Sequence, residues 1–450
     1  MRELRGDQPK AYEAISEFLK QQGGGIFVLA GHAGTGKTFL MREVQEMAKH
    51  KGLKAIFTAP TNKAVKVLKK NLPDDFRDLA TTHSAMAMKE HIDDEGVLTF
   101  KQDGLKEPKA ASYHIIIVDE ASMIDDSLFW PLLDMSEQGK KIIYVGDIYQ
   151  IPPVNYENAL QFDPSTQREH NIQSYTMTEI IRQAVGSPII EHASRIREGI
   201  RDRKIQFDLD RTNQSNEIGS ITFLTKDLVD DYFVEHILPK YKSEEYNEDT
   251  DFIKIIAWTN ETVRRYNKKV RQFVYGSDKL PGLLVGEKLI TDAPVFEGDT
   301  ITIPTNSELL VLGLETETEM LSDEYMMTCY KAHVRSYDSF SHSEHILKIV
   351  HEDSIKVYNE LLNMQARVAK AFPKGSYAAK SAWRDYYNFI KAYHQVKYSY
   401  SITAHKSQGS TYNTAFVAES DILKSSKVYE RNRILYTACT RASKDLIVVY

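Results

Sequence analysis

The segment from Ile26 to Thr38, IFVLAGHAGTGKT, decides the fold of this chain. A short run of apolar, β-branched residues leads directly into a glycine-rich loop of the form G-x-x-x-x-G-K-[ST], which is typical of a strand, a phosphate-binding loop and a helix in that order. In such a loop the glycines let backbone N–H groups approach phosphates, Lys37 reaches the β and γ oxygens, and the Thr38 hydroxyl binds Mg²⁺. A glycine-rich turn that only capped a helix would leave Lys37 unexplained. The predicted nucleotide-binding residues are Gly31, Ala33, Gly34, Thr35, Gly36, Lys37, Thr38 and Phe39.

Three similar apolar runs follow within the first third of the chain, at Ala55–Thr58, Ile115–Val118 and Ile142–Val145. Each is too short for a helix and suits a strand that is buried on both faces of a parallel sheet. Stretches with helical periodicity follow two of the runs, with Thr38–Lys49 between Ile26–Ala30 and Ala55–Thr58, and Ala64–Lys70 after Ala55–Thr58. This rhythm predicts a doubly wound α/β domain.

A second α/β pattern begins near Ala184 and has strand candidates at Ile253–Trp258, Thr414–Ala418 and Leu446–Tyr450. The long gap between the first two contains short alternating segments from Gly286 to Val350, which predict a small antiparallel barrel. An aromatic, helical stretch follows from Tyr358 to Tyr400, and the polar stretch Ser84–Ala111 predicts a small insertion in the first domain.

The composition is that of a globular protein, with 450 residues, 42% apolar and 27% charged. No apolar run approaches the roughly 18 residues of a membrane span, and the start of the chain lacks the apolar stretch of a secretory signal, so we expect a cytoplasmic protein without a membrane partner. Two cysteines are too few for a disulfide framework or a four-thiolate zinc site. The net charge of −6 means that any polyanion site must be local.

Polar residues follow two of the predicted strands where a phosphate loop requires them. Asp119 and Glu120 come directly after Ile115–Val118, so Asp119 is placed to hold Mg²⁺ and Glu120 to orient and deprotonate the attacking water. Gln150 follows the next strand, and its amide can hydrogen-bond a γ-phosphate or the water. An acidic pair after a strand is by itself more often a helix cap, but the phosphate loop favours hydrolysis.

These motifs, in this order, resemble the superfamily-1 helicases and within them the RecD-like branch, which has bacteriophage members. The resemblance covers nearly the whole chain and includes the further motifs APTNKA (59–64), TTHS (81–84), GDIYQIPPV (146–154), TEIIRQ (178–183), WTN (258–260), ITAHKSQGST (402–411) and LYTACTRAS (435–443). It implies an ATP hydrolase that moves along single-stranded DNA, 5′ to 3′, and unwinds duplexes in replication, recombination or repair. It also implies ATP and Mg²⁺ as cofactors, single-stranded and forked DNA as partners with single-strand-binding or replication proteins, a monomer, and the cytoplasm of a host if the source is viral.

The same resemblance implies two RecA-like P-loop domains in tandem, each with an insertion. The first RecA-like domain, which binds ATP, is expected over residues 1–83 and 112–183, with a β-hairpin pin at 84–111. The second is expected over 184–283 and 397–450, with an SH3-like barrel and its helical extension at 284–396.

The resemblance also implies roles for individual residues. The catalytic set is Lys37, Asp119, Glu120, Gln150 and two arginines that neutralise phosphate charge, Arg182 and Arg441, while Gln8 reads the adenine. The nucleic-acid contacts are Pro60, Thr61, Asn62, Thr82, His83, Asn260, Thr403, His405, Lys406 and Gln408, with Phe100 of the pin stacking at the duplex junction.

Other functions fit part of this pattern. An ATP-gated clamp would hold nucleic acid without unwinding it, and a translocase could displace bound proteins or act on RNA. Intact Lys37, Asp119, Glu120 and Arg441 disfavour the clamp, because a switch that does not hydrolyse ATP has no need for all four. Hydroxyl and amide contacts to phosphates serve DNA and RNA equally, so they leave that choice open.

Overall fold

The computed structural model of the protein describes residues 3–73, 75–154, 156–181, 185–204, 209–297, 300–337 and 343–450. The chain forms two compact units. The first unit comprises Met1–Met88, Gln102–Val270 and Tyr400–Tyr450, and the second comprises Lys89–Lys101 and Arg271–Ser399.

The elements of the first 181 residues follow the predicted α/β rhythm. The strands are β1 (Gly25–Gly31), β2 (Ala55–Ala59), β3 (Leu79–Thr81), β4 (Met88–Ile92), β5 (Leu98–Gln102), β6 (Ile115–Val118), β7 (Lys141–Gly146) and β8 (Gln173–Met177). The helices are α1 (Gln8–Lys20), α2 (Lys37–His50), α3 (Asn62–Asn71), α4 (Thr82–Ala85), α5 (Asp126–Glu137) and α6 (Pro164–Glu169).

Six of these strands form one sheet in the order β3-β2-β6-β7-β1-β8, and all neighbouring pairs are parallel. Successive side chains of a strand point to opposite faces, so Phe27 and Leu29 enter one core cluster while Ile26 and Val28 enter another. A strand that is buried on both faces reads as a continuous apolar run, which is why the sequence predicted β1, β2, β6 and β7 correctly. The edge strands β3 and β8 are partly exposed and were not predicted.

The remaining chain holds the second α/β pattern and the long insertion. Its strands are β9 (Gln214–Ser215), β10 (Ser220–Leu224), β11 (Ile253–Ala257), β12 (Lys288–Thr291), β13 (Val295–Glu297), β14 (Thr300–Ile303), β15 (Glu308–Met320), β16 (Met326–Ser336), β17 (Glu344–Val350), β18 (Val396–Tyr398), β19 (Ser401–Thr403), β20 (Tyr412–Ala418) and β21 (Ala442–Val449). Its α-helices are α7 (Pro188–Arg201), α8 (Val229–Tyr232), α9 (Glu244–Glu248), α10 (Asn260–Tyr275), α11 (Ile355–Ala371), α12 (Tyr377–Ala392), α13 (Glu419–Ile422) and α14 (Val428–Cys439).

A second six-stranded sheet has the order β19-β11-β20-β21-β10-β9. Its pairs are parallel except for β9, which lies antiparallel to β10 at the edge. Both parallel sheets belong to the first compact unit. The prediction of two RecA-like α/β domains in tandem is therefore confirmed.

The second compact unit is built on antiparallel pairing. Strands β17-β16-β15-β12-β18 form a five-stranded sheet, and β13 pairs with β14. Helices α11 and α12 pack against each other, and β4 and β5 form a separate two-stranded sheet. The alternating pattern predicted antiparallel strands here, whereas the SH3-like description of the insertion and the boundaries of the four predicted domains stay predictions. Along the described ranges, no helix is both long and apolar enough to cross a bilayer.

Candidate nucleotide site and nucleic-acid interface

The carboxyl edge of the first sheet collects most of the predicted residues of the first domain. Because the strands are parallel, the loops that follow them emerge at the same edge. The phosphate loop follows β1, Asp147 follows β7, and the Asp119–Glu120 pair follows β6. The predicted nucleic-acid residues follow the other strands of this half, with Pro60 to Asn62 after β2 and Thr82 and His83 after β3.

The phosphate loop has the backbone shape that its glycines allow. Gly34 and Gly36 have φ of +85° and +75°, and a Cβ on Gly36 would lie 2.3 Å from the Cδ1 of Ile181. Lys37 Nζ donates to the carbonyl oxygens of Gly31 (2.6 Å) and His32 (3.2 Å). Any residue other than glycine at position 36 would therefore be strained in its backbone and would clash with its neighbour.

The start of α1 packs directly on this loop. Gln8 is buried, donates from Nε2 to the carbonyl of Gly36 (3.1 Å) and accepts from the Arg5 amide (3.0 Å). Its amide is thus engaged with the protein, and reading of an adenine by Gln8 stays a prediction that requires these bonds to exchange.

Asp7 is a residue that the sequence motifs did not indicate. Its Oδ2 accepts from the backbone amides of Thr178 (2.7 Å) and Glu179 (3.0 Å), which fastens the TEII segment beside the phosphate loop. Burial alone would raise the pKa of Asp7, but these hydrogen bonds hold the pKa below its ordinary value.

The acidic pair lies at the end of β6. Burial, and next the charge of Glu120, raise the pKa of Asp119 to about 7. Glu120 has φ of +49°, which is uncommon for a residue other than glycine and marks local strain of the kind found at functional sites.

The donors at this edge fit Mg²⁺, a hard cation that protein sites bind through one or two carboxylates together with substrate phosphates. A divalent cation would relieve the cost of ionising Asp119 in its buried position beside Glu120. Among the described residues, no group of three His, Cys, Asp or Glu side chains is arranged to hold a metal.

The segment after β7, residues 147–151, is held by the second sheet's elements through backbone atoms. The amide of Ile151 donates to Thr437 Oγ1 (3.2 Å), and its carbonyl accepts from Gln408 Nε2 (2.9 Å). Arg433 Nη1 donates to the carbonyl of Gln150 (3.3 Å). The Oε1 of Gln150 itself is buried and has no partner among the described residues, so it can accept a hydrogen bond from a water.

Tyr436 connects the same segment to the phosphate loop. Its hydroxyl donates to Asp147 Oδ2 (2.7 Å) and accepts from the amide of Ala33 (3.3 Å). Tyr436 lies within the LYTACTRAS motif, but the motif by itself drew attention only to Arg441. The relevant signal, a hydroxyl on the buried face of α14, could be interpreted only once its partners were known.

The two predicted arginines differ in what the structure describes. Arg441 is buried, and its guanidinium donates to the carbonyls of Thr437 (3.1 Å) and Ser410 (3.1 Å) and to Thr440 Oγ1 (3.4 Å). These contacts lie within the second RecA-like domain, so a bond from Arg441 to phosphate stays a prediction. Arg182 lies outside the described residues.

Two of the residues predicted to contact nucleic acid have side chains that turn inward, and their contact with nucleic acid stays a prediction. Thr82 is fully buried, and its hydroxyl donates to Thr58 Oγ1 (3.3 Å), so its side chain fastens the start of α4 to β2. Gln408 is 8% exposed and bonds to Ile151, as described above. Both residues sit in motifs whose neighbours are more accessible, and sequence alone does not separate the inward from the outward side chains.

The remaining residues that are predicted to contact nucleic acid lie close together, although they belong to two different RecA-like domains. Pro60, Thr61, Asn62 and His83 are half-buried, as are Thr403, His405 and Lys406. A Cβ on Gly409, which has φ of +70°, would lie 3.5 Å from Thr61 Oγ1 and 3.1 Å from the Cβ of Ala64. The loops after β2 and β19 therefore adjoin, and burial lowers the pKa of both His83 and His405.

Asn260 is exposed at the start of α10, next to these loops in the second sheet. Asp421, which the motifs did not indicate, accepts from the amides of Trp258 (3.0 Å) and Thr259 (2.8 Å) and from the Thr262 hydroxyl (2.7 Å). It fastens the turn that presents Asn260. Burial would raise the pKa of Asp421, but these hydrogen bonds keep the pKa below its ordinary value.

In the second unit, α12 and its preceding loop brace the β4–β5 hairpin. Salt bridges join Lys391 to Glu90, Lys374 to Glu95, and Lys380 Nζ to Asp94 Oδ1 (2.9 Å). The hairpin turn also packs on α12, because a Cβ on Gly96 would lie 2.2 Å from the indole of Trp383. Phe100, on β5, is 39% exposed.

Comparisons with known proteins agree with this architecture. The model of the AAA domain family matches residues 3–217, and that of the UvrD-like helicase C-terminal domain matches residues 398–449. The chain is 26% identical over 463 residues to the ATP-dependent DNA helicase dda of Enterobacteria phage T4, covering 99% of each chain. It is 27% identical over 486 residues to the uncharacterized protein R530 of Acanthamoeba polyphaga mimivirus, covering 96% of this chain and 97% of that one.

Among solved structures, a Pif1 helicase from a study of DNA unwinding at forked DNA superposes with a TM-score of 0.50 at 15% identity, covering 99% of this chain and 92% of that one. This likeness concerns the fold alone. The ordered motifs, the two tandem parallel sheets and the full-length similarity to the T4 protein identify the chain as a superfamily-1 helicase of the RecD-like branch.

Proposed function

We propose that this protein is an ATP-dependent DNA helicase that moves 5′ to 3′ along single-stranded DNA and separates duplexes at forks. Its full-length relative from phage T4 is an ATP-dependent DNA helicase, which supports the activity and the choice of DNA. The direction rests on the resemblance to the RecD-like branch. The working form is a monomer that acts on single-stranded and forked DNA, alongside single-strand-binding or replication proteins.

The observation that carries this proposal is that one edge of the first sheet holds two separate groups of residues, one for the nucleotide and one for nucleic acid. Loops that follow β1, β7 and β6 hold the nucleotide residues, while loops that follow β2 and β3 hold Thr61 and His83. The second RecA-like domain touches both halves, through Gly409 beside Thr61 and through Gln408 on Ile151. A nucleotide that moved the 147–151 segment would therefore also move the loop that contains Gln408 and Gly409. That loop lies beside Thr61, one of the proposed nucleic-acid contacts.

In hydrolysis, Thr38 and Asp119 would hold Mg²⁺, which neutralises phosphate charge when it is bound. Glu120 accepts the proton of the attacking water, and Gln150 orients that water through its buried Oε1. Lys37, which bonds to its own loop carbonyls, exchanges those bonds for the β and γ phosphate oxygens. Arg441 supplies the cation from the second domain, with Arg182 of the junction as its proposed partner.

For DNA, the proposed contacts are Pro60, Thr61, Asn62, His83, Asn260, Thr403, His405 and Lys406. Hydroxyls and amides dominate this set, which suits phosphate and sugar contacts that position a strand without reading its sequence. The β4–β5 hairpin acts as the pin that divides the duplex, and Phe100 is its proposed stacking residue.

The test is an unwinding assay on matched duplexes with a 5′ or a 3′ single-stranded tail, prepared in DNA and in RNA. We expect ATP-dependent separation of the 5′-tailed DNA substrate, and none by Lys37→Ala, which serves as the control for contaminating activity. Separation of the 3′-tailed substrate alone would refute the direction, and equal activity on RNA would refute the choice of DNA. Strand-stimulated ATPase activity without separation of any substrate would make the protein a translocase instead.

A further inference from the structure

We infer that Tyr436 is a positioning residue whose hydroxyl competes with a nucleotide phosphate for the backbone amide of Ala33, and so reports nucleotide occupancy to α14. This inference rests on the proposed function, because it assigns the phosphate loop its ligand. It concerns a residue outside the nucleotide and strand contacts proposed above.

The hydroxyl of Tyr436 lies between two groups of the first domain. It accepts from the Ala33 amide at 3.3 Å and donates to Asp147 Oδ2 at 2.7 Å. Tyr436 is 1% exposed, so no bulk water can replace either partner without rearrangement. Burial, and then the charge of Asp147, raise the pKa of Tyr436 well above its ordinary value, which keeps the hydroxyl protonated as a donor to that carboxylate.

The competition follows from the number of donors. Ala33 has one N–H group, which donates to Tyr436 in the structure and belongs to the loop that is proposed to bind the phosphates. A phosphate oxygen carries charge and is a stronger acceptor than a neutral hydroxyl, so a bound nucleotide takes the amide from Tyr436. The hydroxyl then keeps only its hydrogen bond to Asp147. Binding of a nucleotide therefore releases Tyr436 from the phosphate loop and leaves it bonded to the 147–151 segment.

Helix α14 carries the consequence to the second domain. One residue after Tyr436, Thr437 accepts from the amide of Ile151, and on the preceding turn Arg433 donates to the carbonyl of Gln150. The carbonyl of Thr437 in turn accepts from Arg441 Nε. A small change at Tyr436 thus reaches two residues through hydrogen bonds along one helix. They are Gln150, which is proposed to orient the attacking water, and Arg441, which is proposed to contact the phosphate.

The decisive variant is Tyr436→Phe, which removes the hydroxyl and retains the ring. Binding of a fluorescent ADP with Mg²⁺ and without DNA should tighten about two- to tenfold, because the competing acceptor for the Ala33 amide is gone. Stimulation of ATP turnover by an oligo-dT strand should fall about tenfold, because α14 has lost its bond to Asp147. Opposite signs for these two measurements are not expected from a loss of packing.

Two further variants provide the controls. Tyr144→Phe removes another buried hydroxyl from β7, one without a hydrogen-bond partner among the described residues, and should leave both measurements unchanged. Thr437→Val removes the bond to Ile151 but leaves Tyr436 in place, so it should lower strand stimulation without tightening ADP binding. If Tyr436→Phe matches Tyr144→Phe, or if Thr437→Val tightens ADP binding equally, the inference is overturned.

The wild-type protein offers an independent measurement by hydrogen exchange. Adding ADP and Mg²⁺ should change amide exchange in peptides from residues 428–439 of α14, and unchanged exchange there would overturn the inference even if Tyr436→Phe failed to fold. Should the wild-type protein hydrolyse ATP without any response to DNA, the proposed function would fail, whereas the ADP-affinity comparison would still decide the role of the hydroxyl.

Discussion

Two segments of this molecule are held by distant parts of the chain, but by different chemistry. The 147–151 segment is bound to the second RecA-like domain by hydrogen bonds from buried residues, three of which involve its backbone atoms. The β4–β5 hairpin is bound to α12 and its preceding loop by three salt bridges, as well as by the packing of Trp383 and a hydrogen bond from the Tyr387 hydroxyl to the Gly96 carbonyl (2.9 Å). In the pair Lys374–Glu95 both side chains are more than 60% exposed.

These two kinds of contact differ in how much change in geometry they allow to the segment they hold. Buried hydrogen bonds to backbone atoms fix a geometry and are little affected by salt, which suits a segment that must position a water for chemistry. Exposed ion pairs each contribute little to stability and weaken as salt rises. They therefore permit small changes in the position of the β4–β5 hairpin without a change in ATP hydrolysis.

Replacing Arg441 tests whether this buried arginine supplies a cation to the phosphate. Arg441→Ala should lower strand-stimulated ATP turnover by about 10³- to 10⁵-fold, because it removes a charge that stabilises the transferring phosphoryl group, while affinity for single-stranded DNA changes much less. Arg441→Lys should not restore turnover, since an ammonium cannot reproduce the planar guanidinium. A lower melting temperature with turnover near wild type would instead limit Arg441 to its bonds with Thr437 and Ser410.

Replacing Glu120 tests the chemistry next to the segment. Glu120→Gln should reduce kcat by about 10²- to 10⁴-fold and leave ATP and DNA binding intact, because it removes the base but preserves its shape. Lys37→Ala is the matched variant, in which nucleotide affinity should fall as well as turnover. Equal nucleotide affinities in the two variants would show that the roles of Glu120 and Lys37 have been misassigned.

Replacing Phe100 tests the wedge separately from the motor. Phe100→Ala should reduce duplex separation by roughly 5- to 150-fold, the equivalent of one base-stacking contact, while strand-stimulated ATPase activity and translocation stay unchanged. Val97→Ala, at another exposed apolar position of the same hairpin, is the control. Parallel losses of unwinding and translocation would mean that Phe100 supports the fold, and a larger effect of Val97→Ala would move the wedge to that residue.

The smallest effect is expected from the brace of the hairpin. Lys391→Met removes the partner of Glu90, the least exposed acid of the three pairs, and should reduce unwinding by no more than about fivefold because one partly exposed ion pair is weak. Lys397→Met, which removes a pairing with Asp292 away from the hairpin, is the control. The deficit of Lys391→Met relative to wild type should shrink as salt rises, and a deficit that persists at high salt would assign Lys391 a packing role instead.

Much of the fold followed from local pattern. Continuous apolar runs predicted β1, β2, β6 and β7 of the first sheet and β11, β20 and β21 of the second to within four residues at each end, because strands that are buried on both faces have few polar positions. The shorter or more polar strands β3, β8, β9, β10 and β19 were not predicted. The same local chemistry predicted the phosphate loop and placed the acidic pair at the end of β6. These features need only neighbouring residues, so one stretch of chain specifies them.

Side-chain direction within the motifs was decided by tertiary structure. Thr82 and Gln408 lie in motifs that correctly mark the sheet edge, but both side chains turn inward, to Thr58 and to Ile151. A motif reports spacing along the chain, whereas the face that a short loop presents depends on what packs against it.

The sequence by itself determined the family, the tandem α/β order and the residues able to handle a phosphate, because each depends on residue type at close spacing. Only the tertiary structure decided which distant groups complete the site. Tyr436 lies 289 residues from Asp147, and Asp421 lies 163 residues from Trp258, so neither pairing leaves a local pattern. Their physical basis is burial: a carboxylate removed from water must find donors, and the fold determines which donors are near.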